Sequence, residues 1–497
     1  MSDPSLHPDQ FLYGRKGPWP QPSPSHPLRE AYEVLNIPPI ETLMWNATIG
    51  QRLMRDEASF APQAAMKALA NHNYTTPGDE EFARILFKTA YIRYLKPTGA
   101  ADQALLARRG DAAPAAWRYD FRAMELVEPL PGMYCAPTVV YIAGSPPGNL
   151  KCVAIKVGDV LVIPSDPAWG LAKVYALQGA AYHMLFVVHP TQHFPMDSVN
   201  AITKTAVPRA HPLFQLLYPH TAYTLALDNT VLESDYSVVN DNAAGAWFDP
   251  LTGNGYNLKL LFGAGYTGLP SDRYGDAYPA YDYMRPALLC MGNVPSGVYD
   301  TDYSRWLTAY FKRAFLPFCT EVANSILKAD PNDTYVVRWA RYLHSCVMGF
   351  PDEKKILTEN YLAYALAIYL WDVTVAHGAD HHSFACTVSV VNKFLRIRRA
   401  PPTSPADGPV LPGQVFTGDD QLRAEVAQQM FFLPWTLPPN LDQTYYAFTD
   451  PLLLQEQMQF HVNLSAVASD PSLVQFMPLK ASTPEGYALT IPASIQY

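Results

Sequence analysis

Apolar residues recur at helical spacing along most of the chain, and this pattern predicts a mainly α fold. The run PGDEEFARILFKTAYIRYL begins with Pro and acids and continues with apolar residues at intervals of three and four, as an amphipathic helix does. We expect helices between residues 28 and 95, in a long segment from Pro167 to His193, and again from about Tyr303 to Ile397.

Other stretches lack this periodicity. Residues 130–165 contain short β-branched runs between Gly and Pro, which predict a small hairpin or sheet. Residues 235–300, rich in Gly, Tyr, Asp and Pro, are expected to form a long irregular excursion, and the last ~75 residues to mix short helices with loops. Residues 1–27 are rich in Pro and polar residues, so we predict an extended arm (1–27) followed by one domain (28–497).

The composition of the chain indicates which partners and which cellular compartment to expect. A net charge of −9 argues against a nucleic-acid partner, because phosphates are neutralised by clustered Lys and Arg. We find no window approaching the ~20 apolar residues of a membrane span and no apolar segment behind a basic N-terminus. The six cysteines are widely spaced, which suits reduced thiols. We therefore expect a cytoplasmic protein without a transmembrane segment.

Two predicted helices each carry a pair of histidines four residues apart. His189 and His193 form the first pair, and His377 and His381 form the second. Residues at i and i+4 share a helix face, so two imidazoles can converge on one metal ion. Chance alone gives about 0.3 such pairs in a chain with this histidine content. Hydrogen-bonded structural histidines remain the alternative explanation.

The first of these helices resembles the long iron-binding helix of lipoxygenases. That helix opens W-x-x-A-K, matched here by Trp169, Ala172 and Lys173, and carries its first iron histidine at the offset of His189. The family usually places its second histidine five residues on, whereas this chain has four. The shorter spacing fits an ordinary α-helix, while Pro190 is expected to remove one helical hydrogen bond.

Three further segments carry the same resemblance. HPLFQLLYPH (His211 to His220) is similar to a family signature whose histidines we expect to be structural. Gly-Phe-Pro at Gly349, followed by W-x5-H ending at His377, resembles the segment that supplies the third ligand, with His381 at the position of the fourth. The chain ends IPASIQY, similar to the family's C-terminal motif, in which the last residue binds iron through its free carboxylate; that residue is Tyr497 here.

This resemblance runs from about Asp79 to Tyr497 and implies a fold, a cofactor and an activity. The fold is a lipoxygenase-like all-helical catalytic domain around a long metal-binding helix, with a small β-sheet, as in a bacterial-type member without the N-terminal β-barrel domain. The implied cofactor is one non-haem iron (Fe), with manganese (Mn) plausible in the same ligands. Structural zinc fits less well, because it prefers sites that contain cysteine. The implied ligands are His189, His193, His377, His381 and the Tyr497 carboxylate.

Positions expected near the substrate depart from the family pattern. Val231 stands where lipoxygenases carry Ala or Gly, and a branched side chain there would crowd the oxygen channel. Leu232 replaces a frequent Arg, Asp235 adds an acid, and the family's Gln is missing around Phe384. Acids in the pocket would disfavour a fatty-acid carboxylate, although acids usually face solvent.

These departures leave three functions open. The leading hypothesis is a dioxygenase that takes a hydrogen atom from a polyunsaturated acyl chain and inserts dioxygen. The alternative is a lipoxygenase-like iron oxidase that hydroxylates or desaturates a small organic metabolite. The third is a catalytically silent binding protein. The intact set of predicted metal-binding residues argues against this third hypothesis.

Overall fold

The computed structural model describes residues 37–59, 76–145, 149–233, 255–285, 302–382, 396–410, 414–415, 417, 439–473, 480–482 and 488–495. The predicted arm (1–27) lies outside these residues, as do Asp235, Phe384 and Tyr497. The described part is mainly helical with a small antiparallel sheet, as the sequence predicted.

Two long helices form the centre of the domain. The first core helix is continuous over Trp169–Ala206 and contains a π-helical segment, His183–Val188. The second core helix consists of Glu359–Trp371, a π-helical segment Asp372–Ala376, and His377–His382. The first core helix extends thirteen residues beyond His193, where we expected it to end.

The other α-helices surround this centre. They span Pro39–Ser59, Asp79–Phe87, Ala100–Arg109, Pro212–Leu217, Thr224–Glu233, Gly255–Tyr266, Ser271–Tyr274, Asp302–Tyr310, Leu316–Ala329, Thr334–Cys346 and Pro451–Ala468. Short 3-10 helices span Ala90–Tyr94, Arg122–Leu126, Tyr218–His220 and Leu441–Gln443, and a third π-helical segment spans Phe311–Phe315. The helix Gly255–Tyr266 corrects the prediction of irregular structure for 235–300, and Pro451–Ala468 is longer than the short helices expected there.

The sheet contains five antiparallel strands in sequential order. They are β1 (Lys96–Pro97), β2 (Trp117–Phe121), β3 (Thr138–Ala143), β4 (Lys151–Val157) and β5 (Val160–Val162). The prediction for 130–165 covered β3 to β5 and missed β1 and β2. A second, two-stranded sheet pairs β6 (Lys480–Ser482) with β7 (Ala488–Thr490).

The first core helix packs directly on this sheet. A Cβ atom at Gly179 would lie 2.7 Å from Cβ of Phe121 and 2.8 Å from Oγ1 of Thr138, so only glycine allows this close approach. The N-terminal end of the same helix is fixed by Asp79, whose Oδ1 accepts hydrogen bonds from Trp169 Nε1 (2.8 Å) and Lys173 Nζ (2.7 Å). The W-x-x-A-K motif thus anchors the helix that carries the first histidine pair.

By length and composition alone, Trp169–Ala206 and Asn360–His381 could each cross a membrane, contrary to our expectation that no segment would qualify. The most apolar windows of these helices are 89% and 94% buried inside the domain. Packing within the protein therefore accounts for their apolar composition, and they are weak evidence for a membrane span.

Candidate metal centre

Four histidines from the two core helices converge in the interior. The Nε2 atom of His193 lies 2.9 Å from Nε2 of His189 and 2.9 Å from Nε2 of His377. One nitrogen from each of these three residues and one from His381 all lie within 4.8 Å of one another. Nitrogens bound at about 2.1 Å to an octahedral ion are ~3.0 Å apart when adjacent and ~4.2 Å apart when opposite. The two 2.9 Å spacings match adjacent ligands in such a shell.

Two buried aspartates determine which nitrogen of each ring in the first pair carries the proton. The Nδ1 atom of His189 lies 3.2 Å from Oδ2 of Asp380, and Nδ1 of His193 lies 2.8 Å from Oδ1 of Asp228. An imidazole beside a carboxylate donates its N–H to it, so both Nδ1 atoms are protonated. The Nε2 atoms of His189 and His193 therefore present lone pairs.

The direction of these lone pairs shows whether the four histidines could hold a metal ion. Two neutral rings with Nε2 lone pairs directed at each other across 2.9 Å repel, since neither can donate a hydrogen bond. His193 Nε2 also meets His377 Nε2 at the same distance, so one lone pair faces two neighbours. A cation between the nitrogens removes the repulsion, and imidazole is a common ligand of iron, zinc and copper. The residues fit a metal ion.

Burial keeps these imidazoles neutral. Loss of solvation lowers the pKa of His189 to about 4 and that of His193 to about 3, and it also lowers the pKa of His377. A metal ligand must be deprotonated, so the interior already supplies the required charge state at neutral pH.

Each histidine pair directly follows a π-helical segment. His183–Val188 precedes His189, and Asp372–Ala376 precedes His377. The expectation of an ordinary α-helix holds between the paired histidines but not for the turn before them. Pro190 lies in the first turn after the π segment, and the helix continues through it. At Gly265, a Cβ atom would overlap the Val187 carbonyl, so this glycine lets a neighbouring helix pack against the widened turn.

The C-terminal segment enters the core beside the second pair. Ala493, Ser494 and Ile495 are fully buried, and the Ala493 carbonyl accepts a hydrogen bond from His220 Nδ1 (2.6 Å). A Cβ atom at Gly378 would lie 3.4 Å from Cδ of Pro492, so this segment lies next to the residue that follows His377. Tyr497 is outside the described residues, and its carboxylate remains a predicted ligand.

The two histidines of HPLFQLLYPH occupy hydrogen-bonding positions of a structural kind. His211 accepts from the Leu213 N–H at the start of a helix, and its Nε2 lies 3.0 Å from Asp333. His220 holds the C-terminal segment and contacts Tyr446 Oη at 2.8 Å.

The predicted pocket residues are only partly described. Val231 and Leu232 are half-buried on Thr224–Glu233, the helix that supplies Asp228, and Leu232 packs against the main core. Neither residue lines the cavity described next, and Asp235 and Phe384 lie outside the described residues. The pocket assignment stays a prediction.

A cavity of about 250 Å³ lies beside the two core helices. Its wall includes Arg93, His183, Gln192 and Asp372 together with apolar residues such as Trp371. Burial raises the pKa of Asp372 to about 8, so this carboxyl carries a proton at neutral pH. The four clustered histidines do not line this cavity. Arg93 connects the two sites, because it also forms a buried ion pair with Asp380.

Arg93, Asp228 and Asp380 were not among the site residues predicted from the sequence. A signal was present for Asp380, since an acid inside HGADHH lies one turn from His377 on an apolar helix. No sequence signal distinguished Arg93 or Asp228.

The chain is similar in sequence and in structure to known proteins. No protein-family model matches the chain. Mouse (Mus musculus) polyunsaturated fatty acid lipoxygenase ALOX12 is 26% identical over 301 residues, covering 55% of this chain and 42% of the mouse protein. The human (Homo sapiens) protein of that name is 25% identical over 302 residues, with the same coverage. The aligned region thus spans less than half of these curated relatives.

Solved structures give a broader match. The crystal structure of a lipoxygenase deletion variant superposes with a TM-score of 0.71 at 14% identity, covering 99% of this chain and 80% of that one. Coral 8R-lipoxygenase gives a TM-score of 0.63 at 16% identity, covering 83% of this chain and 66% of that one. The chain therefore has the lipoxygenase fold, and its similarity to curated lipoxygenases confirms the resemblance predicted from the sequence.

Proposed function

We propose that the chain is a mononuclear non-haem iron oxygenase of the lipoxygenase type. The observation that carries this proposal is the cluster in which the Nε2 lone pairs of His189 and His193 face each other at 2.9 Å. The curated relatives support it, because they are polyunsaturated fatty acid lipoxygenases. Bound iron would supply one-electron oxidation of an activated C–H bond, after which dioxygen adds to the carbon.

The protein's own residues would hold and orient the ion. His189, His193, His377 and His381 offer four imidazole nitrogens, and we propose the Tyr497 carboxylate as a fifth ligand. Asp380 and Asp228 lock the rings of the first pair, as carboxylates commonly do behind metal-bound histidines. Burial of this shell excludes water from the reactive centre.

The leading substrate is a polyunsaturated acyl chain. The names of the curated relatives state this substrate class, and a structural neighbour with a TM-score of 0.68 was crystallised in complex with arachidonate.

A second candidate is a small polar metabolite. This alternative is favoured by the cavity wall, where Arg93, Gln192 and Asp372 provide polar groups close to the histidine helices. An acyl-chain channel is instead expected to be lined mainly by apolar side chains.

The first test measures metal binding. Wild-type protein loaded with ferrous ion without oxygen should retain about one iron per chain by elemental analysis, whereas His377→Ala should lose most of it. His461→Ala provides a control, because this half-buried histidine lies on Pro451–Ala468, apart from the cluster. Full iron occupancy in His377→Ala would contradict the ligand assignment. Parallel loading with manganese compares the two ions in the same cage.

The second test identifies the substrate class. Iron-loaded protein should consume dioxygen and produce conjugated-diene absorbance with linoleic or arachidonic acid. Iron binding without either signal would refute the acyl-chain substrate and favour the polar-metabolite alternative. Absence of iron binding would refute the oxygenase proposal itself.

A further inference from the structure

A stripe of polar residues continues along the first core helix beyond the histidine pair. After His189 and His193 come Asp197, Asn200 and Lys204, at intervals of four, three and four residues, which place all five on one helix face. Asp197 is 6% exposed, Asn200 1%, and the Lys204 side chain 6%. A polar stripe on a helix usually faces solvent, but this one is buried.

The helix Thr224–Glu233 presents matching polar groups to this stripe. Asp228 meets His193 Nδ1 at 2.8 Å and forms a side-chain hydrogen bond with Asp197. One turn away, Thr224 accepts a hydrogen bond from Asn200 Nδ2 (2.5 Å) and also bonds Asp197. Asp197 and Asp228 therefore form one unit behind His193.

The far end of the stripe reaches the edge of the domain. Lys204 Nζ lies 3.2 Å from Oε1 of Glu41 on the helix Pro39–Ser59, and the Glu41 side chain is 28% exposed. Apolar residues in this seam would avoid the cost of burying two carboxyls, so stability alone does not explain the stripe.

We propose that Asp197 is a positioning residue, which acts through Asp228 to orient His193 toward the metal. This inference rests on the proposed iron centre. Asp197 holds the Asp228 carboxyl in place, and Asp228 accepts the Nδ1–H of His193, which leaves Nε2 directed at the ion. Removing either carboxyl should loosen the same ligand, whereas removing both should do little further harm.

The test compares iron affinity, measured by chelator competition, across Asp197→Leu, Asp228→Leu and the double variant. Each single variant should lose about ten- to hundredfold in affinity, as expected for partners behind a metal ligand. The iron affinity of the double variant should be no lower than that of whichever single variant binds iron more weakly. Asp228→Asn should recover most of the affinity, because its amide oxygen still accepts the Nδ1–H of His193.

Thr203→Val is the matched control. Thr203 is fully buried on the same helix and accepts a hydrogen bond from Trp339 Nε1 (2.9 Å), outside the stripe. This variant should lower the melting temperature but leave iron affinity unchanged. Single Leu variants that bind iron as well as wild type, or losses that add in the double variant, would overturn the inference. Wild-type protein that binds no iron would overturn both this inference and the proposed function.

Discussion

Replacing Arg93 with Met should destabilise the protein more than replacing any arginine of a surface pair. Arg93 (4% exposed) and Asp380 (0%) form an ion pair between the 3-10 turn Ala90–Tyr94 and the second core helix. Methionine keeps the length and the apolar stem but leaves the Asp380 carboxylate buried without its cation. Breaking a buried pair from one side costs about 3–5 kcal/mol, because the remaining charge is left without compensation.

The measurement is the free energy of unfolding of metal-free protein in urea. Arg341→Met is the control, because its pair with Glu353 is 50% and 39% exposed at the two side chains, and such pairs contribute at most ~1 kcal/mol. The double variant Arg93→Met with Asp380→Asn should be more stable than Arg93→Met alone, since no charge is then left buried. The amide oxygen introduced by Asp380→Asn could still accept the Nδ1–H of His189.

Two outcomes would contradict a stabilising role for this ion pair. If Arg93→Met costs no more than Arg341→Met, the Asp380 charge is neutralised or solvated without Arg93, and the pair does not hold the two elements together. If the double variant is as unstable as Arg93→Met, the loss comes from the other contacts of the guanidinium, such as its hydrogen bonds to Tyr94 Oη, and not from the stranded charge.

Three further predictions concern the C-terminus, the predicted pocket and the response to pH. A tag appended after Tyr497 should abolish iron binding and activity because it converts the carboxylate to an amide, whereas an N-terminal tag should leave both intact; equal activity of the two tagged proteins would contradict the terminal ligand. Val231→Ala should increase oxygen insertion or move its position if this residue lines the substrate cavity; a lower melting temperature, corresponding to about 1 kcal/mol, with unchanged products would instead place Val231 in the ordinary core. Burial lowers the pKa of His220 to about 4, against about 6.5 when unfolded. The unfolded state therefore takes up a proton first, and the free energy of unfolding should fall as pH drops from about 6.5 towards 4. His220→Gln should show a shallower fall over this window in urea titrations.

The fold class and the helices that carry the histidines could be predicted because they depend on local periodicity. Residues four apart share a helix face whatever surrounds the helix, so the pairing of His189 with His193 follows from the sequence. The approach of the two pairs to each other does not follow in this way. It required the resemblance to a known family, since His193 and His377 are 184 residues apart.

The π-helical segments were not predictable for a related reason. The two segments that precede the histidine pairs follow long apolar runs. Gly179 and Pro190 lie near the first of them, but the widened turn at Val187 is accommodated by Gly265 on a different helix. A widened turn that depends on close approach by a residue nearly eighty positions away cannot be recognised from the local sequence.

The first core helix ends at Ala206, and the prediction that it ends at His193 was wrong. Asp197, Asn200 and Lys204 are polar, which is typical of an exposed helix face, yet the helix continues through them to Ala206. Their spacing carried the opposite information, because it continues the face defined by the two histidines. Polar residues that face solvent can lie on any helix face outside the core. Polar residues that orient metal-binding histidines must lie on the same helix face as those histidines. In this helix, the phase of the polar residues relative to the histidine pair, and not their polarity, agrees with the continuation of the helix into the core.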